Sequence, residues 1–182
     1  MELSWCSGRS SAQTFSIRPV REFVSQWIGD GRGWIDPYAG DNPLGIQFSN
    51  DHNPDCGAEN HMEAVEFCRA VVEQGLVPRG GFAGVVYDPP YSYRQVSEHY
   101  RARGMRATRF DTSNQFYNRV KNAVCDHIAI GGFAISCGWN SNGFGWNRGF
   151  APVHLLVVRH GQHKNDTLVL VEVRVSRSED MP

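Results

Sequence analysis

Apolar residues recur along this chain in two spacings that take turns, and the alternation predicts the fold class. Val20, Phe23, Val24, Trp27 and Ile28 repeat at helical spacing and stop at Gly29-Asp30-Gly31, so a helix leads into the first strand. Short buried runs over 33–36, 45–49, 82–87 and 133–137 read as strands, and helical patterns over 63–74, 93–103 and 112–124 lie between them. Strands alternating with helices imply parallel βα units and a doubly wound sheet. Two further runs, 153–159 and 166–174, flank the polar stretch Gly161-Gln162-His163-Lys164-Asn165 and read as a closing antiparallel hairpin. The expected class is α/β: a mostly parallel, doubly wound, Rossmann-like sheet ending in a C-terminal antiparallel hairpin.

Composition narrows this picture. At 182 residues and 41% hydrophobic, the chain can bury a sizeable core but leaves little room for a second domain, so residues 1–182 are expected to form one domain. No apolar stretch approaches the roughly 20 residues of a membrane span, and residues 1–9 lack the hydrophobic centre of a signal peptide. A cytoplasmic protein with no membrane partner is the expectation. The five cysteines, Cys6, Cys56, Cys68, Cys125 and Cys137, are scattered and form no Cys-x-x-Cys pair, which argues against a disulfide framework and structural zinc. His160 and His163 flank a loop with no further ligand at suggestive spacing, so they read as loop residues and no metal is expected. Neither Gly-x-Gly-x-x-Gly nor Gly-Lys-Ser/Thr occurs, which argues against nicotinamide or nucleoside-triphosphate chemistry.

The formal net charge of −1 gives no global sign of a nucleic-acid partner, but its distribution does. Residues 92–122 hold Arg94, Arg101, Arg103, Arg106, Arg109, Arg119 and Lys121 against Glu98 and Asp111, a local balance of +5. Tyr93, Tyr100, Phe110, Phe116 and Tyr117 are interleaved with these charges. A positive stretch with aromatics can contact phosphates and stack bases, although basic helix faces are commonly only solvated surface.

This stretch begins directly after Asp88-Pro89-Pro90-Tyr91, which closes the apolar run 82–87 and therefore sits at a strand's C-terminal end, where open α/β sheets bind ligands. Asp and Pro are ordinary turn residues. They also suit methyl transfer to an exocyclic amine, whose lone pair is delocalised into the ring. Asp88 and the Pro89 carbonyl can accept the two N–H groups, pulling the nitrogen toward tetrahedral geometry, while Tyr91 stacks on the base. Pro89 and Pro90 fix the backbone that aims the carbonyl.

Two further segments accompany this motif: Thr14-Phe15-Ser16-Ile17-Arg18-Pro19-Val20 before the first helix, and Trp34-Ile35-Asp36-Pro37-Tyr38-Ala39-Gly40 at a strand end. Together the three segments resemble the S-adenosylmethionine-dependent amino-methyltransferases, specifically the small phage-type adenine-specific DNA methyltransferases, over residues 14–174. The resemblance implies the class I methyltransferase fold, S-adenosylmethionine as methyl donor, DNA as partner, and methylation of adenine N6 in a bacterial or phage-infected cell. Thr14, Phe15, Ser16, Ile17 and Pro19 would pack around the methionine part of the donor, and Asp36, Pro37, Tyr38, Ala39 and Gly40 would form its binding turn. Asp51, in Ser49-Asn50-Asp51-His52-Asn53-Pro54, would hold the ribose hydroxyls, with Asn53 beside it. Tyr38 replaces the family's usual Phe, and Asp41-Asn42-Pro43 replaces the second glycine of its Gly-x-Gly turn. Glu63 matches the family's acid near the target amine or is a solvated helix residue. Trp139 and Asn140, in a segment shared with the group, join Arg94, Arg101 and Arg106 as substrate-binding candidates. The rival readings are an RNA adenine, cytosine N4 or protein amide acceptor, or an inactive cofactor- or DNA-binding protein used in regulation or host interference.

Overall fold

A computed structural model describes residues 1–90, 114–161 and 164–176 of the chain. Its strands are β1 (Glu2–Ser7), β2 (Trp34–Asp36), β3 (Phe48–Ser49), β4 (Phe82–Tyr87), β5 (Ile128–Gly138), β6 (Phe150–Arg159) and β7 (Thr167–Arg174). They form one sheet in the order β1-β6-β7-β5-β4-β2-β3. The pairs β1/β6, β2/β3, β2/β4 and β4/β5 are parallel, whereas β7 runs antiparallel to both β5 and β6. The sheet is thus mostly parallel and closed by the expected antiparallel hairpin, with β7 inserted between β5 and β6. Three α-helices are described: α1 (Arg18–Ile28), α2 (Ala64–Glu73) and α3 (Asn114–Val124).

Side chains alternate across each strand, and this divides the core in two. Ile35, Val85 and Ala134 face α2 and α3, where they meet Val65, Phe67, Val71, Val120 and Val124. Their neighbours Trp34, Val86 and Ile135 face the other way, against Val20, Val24 and Ile28 of α1. Burial of each such side chain contributes about 1.5–3 kcal/mol. Helices therefore cover both sides, as double winding requires. Gly84 has a local reason to lack a side chain, since a Cβ there would strike the Trp34 ring and the Phe133 carbonyl oxygen.

Three strands differ from their expected extent. β3 is only Phe48–Ser49, because the backbone N–H and carbonyl of Ile46 are taken by the Asn42 side chain (2.8 and 3.0 Å) and cannot join the ladder. β5 starts five residues before the expected 133, hidden in the sequence by Gly131-Gly132 where the pairing with β4 shifts register between Phe82 and Gly84. β6 starts before Pro152, which sits at a second register shift, where a proline is tolerated. β1 was not expected: its apolar residues Leu3 and Trp5 are 64% and 68% exposed, so no buried run marks it. The helix expected over 93–103 and residues 112–113 of the third helix lie outside the described residues.

The chain steps from β2 outward to β3, then returns to β4 on the other side of β2. This reversal opens a crevice at the C-terminal ends of β2 and β4, the usual ligand position in such sheets.

Candidate active site

Asp36 ends β2 and is 1% exposed. Its carboxylate accepts the Tyr38 N–H at 2.9 Å, which turns residues 37–40 back over the strand end. Burial pushes the Asp36 carboxyl well above the usual range, the Tyr38 N–H opposes this, and the charges of Asp88 and Asp51 push it further up. Asp88 and Asp51 therefore lie close enough to the Asp36 carboxyl for their charges to act on it.

Asn50, wholly buried, ties this turn to the end of β3. Its backbone N–H donates to the Asp36 carbonyl (2.9 Å) and its carbonyl accepts from Ala39 N–H (2.8 Å). Its side-chain amide donates to the Pro37 and Met62 carbonyls (3.1 Å each) and accepts from Met62 N–H (2.9 Å). Asp51 follows, accepting the Gly40 N–H at 3.2 Å and the Asn53 N–H at 2.8 Å. The missing second glycine of the turn also finds its explanation. Gly40 has φ 54° and Asn42 φ 50°, so Asn42 adopts the left-handed conformation that a glycine would otherwise supply. Asparagine tolerates it best after glycine, and here its side chain is braced on Ile46.

Asp88 follows the last residue of β4 and accepts the Thr14 hydroxyl at 3.1 Å. Thr14 opens a 3-10 turn, Thr14–Ser16, that leads into α1. Beside Asp88, the Tyr87 hydroxyl donates to the Tyr117 carbonyl (3.2 Å), and the Tyr117 hydroxyl donates to the Pro90 carbonyl (2.7 Å). The Tyr38 ring meets Tyr87 edge-on, with centroids 5.6 Å apart.

The remaining candidates are spread unevenly around this centre. Phe15 and Ile17 are core residues packed with α1, Pro19 occupies its first turn, and Ser16 turns outward to Ser11 and the Gln13 carbonyl. Asn53 accepts Asp55 N–H inside its own loop. Glu63 caps α2, one oxygen accepting Val65 and Glu66 N–H while the other is buried without a partner. Trp139 and Asn140 are exposed just beyond β5, at the same end of the sheet as Asp88. Tyr91, Arg94, Arg101 and Arg106 lie outside the described residues.

Lys121 is a correction to the basic stretch. It is 6% exposed and turned inward, donating to the Asn142 and Gly143 carbonyls and lying 5.1 Å from the Tyr87 ring centroid. Burial, with Arg148 nearby, lowers its ammonium to about 8 despite Glu172. His160 is another correction: instead of a solvated loop residue it bridges the Gly8 carbonyl and the Thr167 hydroxyl, each at 2.8 Å. Sequence reasoning did not single out Asn50 and read Tyr117 only as one of the aromatics that could stack bases; its contact with Pro90, 27 residues away, gives it another role.

No family model and no curated protein matches this chain. A solved structure titled "Putative methyltransferase yhhF from Escherichia coli" superposes on it with a TM-score of 0.46 and 10% identity, over 93% of this chain and 90% of that one. Among the described residues no group of His, Cys, Asp and Glu is arranged to hold a metal, and no helix is long and apolar enough to cross a membrane.

Proposed function

We propose that the chain is an S-adenosylmethionine-dependent methyltransferase acting on the N6 amine of adenine in DNA. The observation that carries this reading is the Thr14–Asp88 hydrogen bond, which joins the segment resembling the cofactor motif to the acid of Asp-Pro-Pro-Tyr across 74 positions of sequence. Asp36 and Asp51 lie at the same sheet end. Asp51 and Asp88 put two carboxylates beside one crevice, which favours a cationic ligand, and a sulfonium is one. The residues suit the donor: Asp51 would hold its ribose hydroxyls, and Thr14 and Asp36 would border its methionine part. Gly40 leaves open space beside Asp51, since a Cβ there would meet nothing within 4 Å.

S-adenosylmethionine supplies an electrophilic methyl group, whose bond to sulfur breaks as the bond to the amine nitrogen forms. The chain's own part is alignment. Asp88 accepts one N–H of the amine, the Pro89 carbonyl accepts the other, and both favour the positive charge that grows on nitrogen. The proton released by the amine passes to Asp88 and then to solvent, and no covalent enzyme intermediate forms. A duplex adenine must first leave the stack at a cost of a few kcal/mol, which stacking on Tyr91 offsets by about 1–3 kcal/mol. With Lys121 turned inward, the basic residues from Arg94 to Arg119 remain the candidates for phosphate contact.

The test is tritiated-methyl transfer to DNA by the parent and by Asp88→Ala, together with sequencing of DNA from a methylation-free host expressing each. The expected result is labelled N6-methyladenine with the parent and a loss of about a hundredfold or more in the variant. A parent that labels no DNA, or an Asp88→Ala protein transferring at the parent rate, overturns the reading.

A further inference from the structure

Asp-Pro-Pro-Tyr carries an anchoring problem in its covalent structure. Pro89 and Pro90 have no N–H, so this pair cannot fasten itself by donating backbone hydrogen bonds. The carbonyls of the two prolines are the only backbone groups by which that pair can be held, and each needs a donor from elsewhere. If the Pro89 carbonyl receives the amine, the Pro90 carbonyl is left as the anchor. The structure gives that carbonyl a donor, the Tyr117 hydroxyl of α3, at 2.7 Å.

The arrangement is a two-point clasp. Tyr87, immediately before Asp88, donates its hydroxyl to the Tyr117 carbonyl at 3.2 Å, so the same residue of α3 holds the chain on both sides of Asp88-Pro89. The clasp has a stiff mounting. Tyr87 is 3% exposed and its ring is met by the Tyr38 ring, by Phe144 with centroids 5.8 Å apart, and by Lys121, one helical turn beyond Tyr117. Burial pushes the Tyr117 hydroxyl above its usual range, so it stays protonated and able to donate throughout the physiological pH range.

We propose that Tyr117 is a positioning residue: its hydroxyl, bound to the Pro90 carbonyl, holds the Asp88 carboxylate and the Pro89 carbonyl in the orientation that receives the target amine. The inference rests on the role assigned above to Asp88 and Pro89. A short, well-directed bond at this point acts on catalysis through geometry, because small misplacements of reacting groups lower rates steeply.

Tyr117→Phe removes the hydroxyl and keeps the ring. The measurements are single-turnover transfer to DNA at saturating donor and DNA, calorimetric affinities for S-adenosylmethionine and DNA, and amide hydrogen exchange of the peptide containing Asp88 and Tyr91, the motif's only N–H groups. The expected result is a fall in the single-turnover rate of about tenfold, affinities within about twofold of the parent, and faster exchange in that peptide alone. Transfer at the parent rate overturns the inference, as does loss of rate only in proportion to lost affinity, which marks a merely structural role. Should the parent itself transfer no methyl group, the functional reading fails and the exchange measurement still decides the clasp: unchanged exchange in Tyr117→Phe would show that the hydroxyl holds nothing.

Discussion

The two halves of the crevice are built by opposite means. The turn after β2 fastens itself: all of residues 36–42 but Pro37 have backbone donors, and the partners, Asn50, Asp51 and Ile46, lie within 15 residues. The motif after β4 is held from outside, by Thr14 from before α1 and Tyr117 from α3, 74 and 27 residues away. Two prolines account for the difference, since they fix the local backbone while removing the groups by which a turn closes on itself. A self-fastened turn should fail as a unit of stability, whereas an externally held one should fail in its geometry first.

The largest effect on stability is therefore expected from Asn50→Ala, which orphans the Pro37 and Met62 carbonyls and the Met62 N–H. The loss is about 3–5 kcal/mol, since each buried group left unpaired costs about 1–3, and the thermal midpoint should drop by about 10 °C. Calorimetry checks this, and a drop of under about 2 °C would mean that Asn50 is not the knot of the turn. By contrast, Tyr117→Phe should shift the midpoint by far less than it slows transfer. Next in size, Asp51→Ala should weaken S-adenosylmethionine binding about ten- to hundredfold through lost charge-assisted hydrogen bonds. Unchanged calorimetric affinity would remove Asp51 from the site.

The smallest effect concerns Lys121, which supports the clasp from below. Its folded-state value of about 8 lies below the ordinary 10.5, so between those pH values the unfolded chain binds more protons than the folded one. Stability from this group must then rise with pH from about 8 to 10.5. Lys121→Met lacks that rise. The deficit of the variant against the parent, followed by urea midpoints, should be level below pH 7 and widen above pH 8, and a deficit constant across the range would show that Lys121 does not titrate in this window.

Much of this was legible in the chain, and the division follows the same contrast. Helical spacing from Val20 to Ile28 and the run 82–87 announce α1 and β4, because their partners bury a whole face and the face repeats. Asp36, Asp51 and Asp88 are legible because strand ends are marked by the turn residues that follow them. Asn50 is not, since one buried amide serving two loops leaves no periodic trace. Tyr117 reads as one aromatic among several in a basic stretch, and only the fold brings it to Pro90. Glu63, expected as a solvated residue or a site acid, is partly buried and uses one carboxylate oxygen to cap α2.

The pairing of β1 with β6 also bears on how the chain comes to be folded. Ser4 bonds His154 at 2.8 Å across 150 residues, and among the described residues no strand nearer in sequence pairs with β1. During synthesis β1 must wait until residue 159 has been made before its ladder can close. Contacts of such long sequence separation slow folding, and an unpaired strand bearing Leu3 and Trp5 invites association between nascent chains meanwhile. This edge of the sheet is thus made well before its partner strand and is among the last parts to find its place.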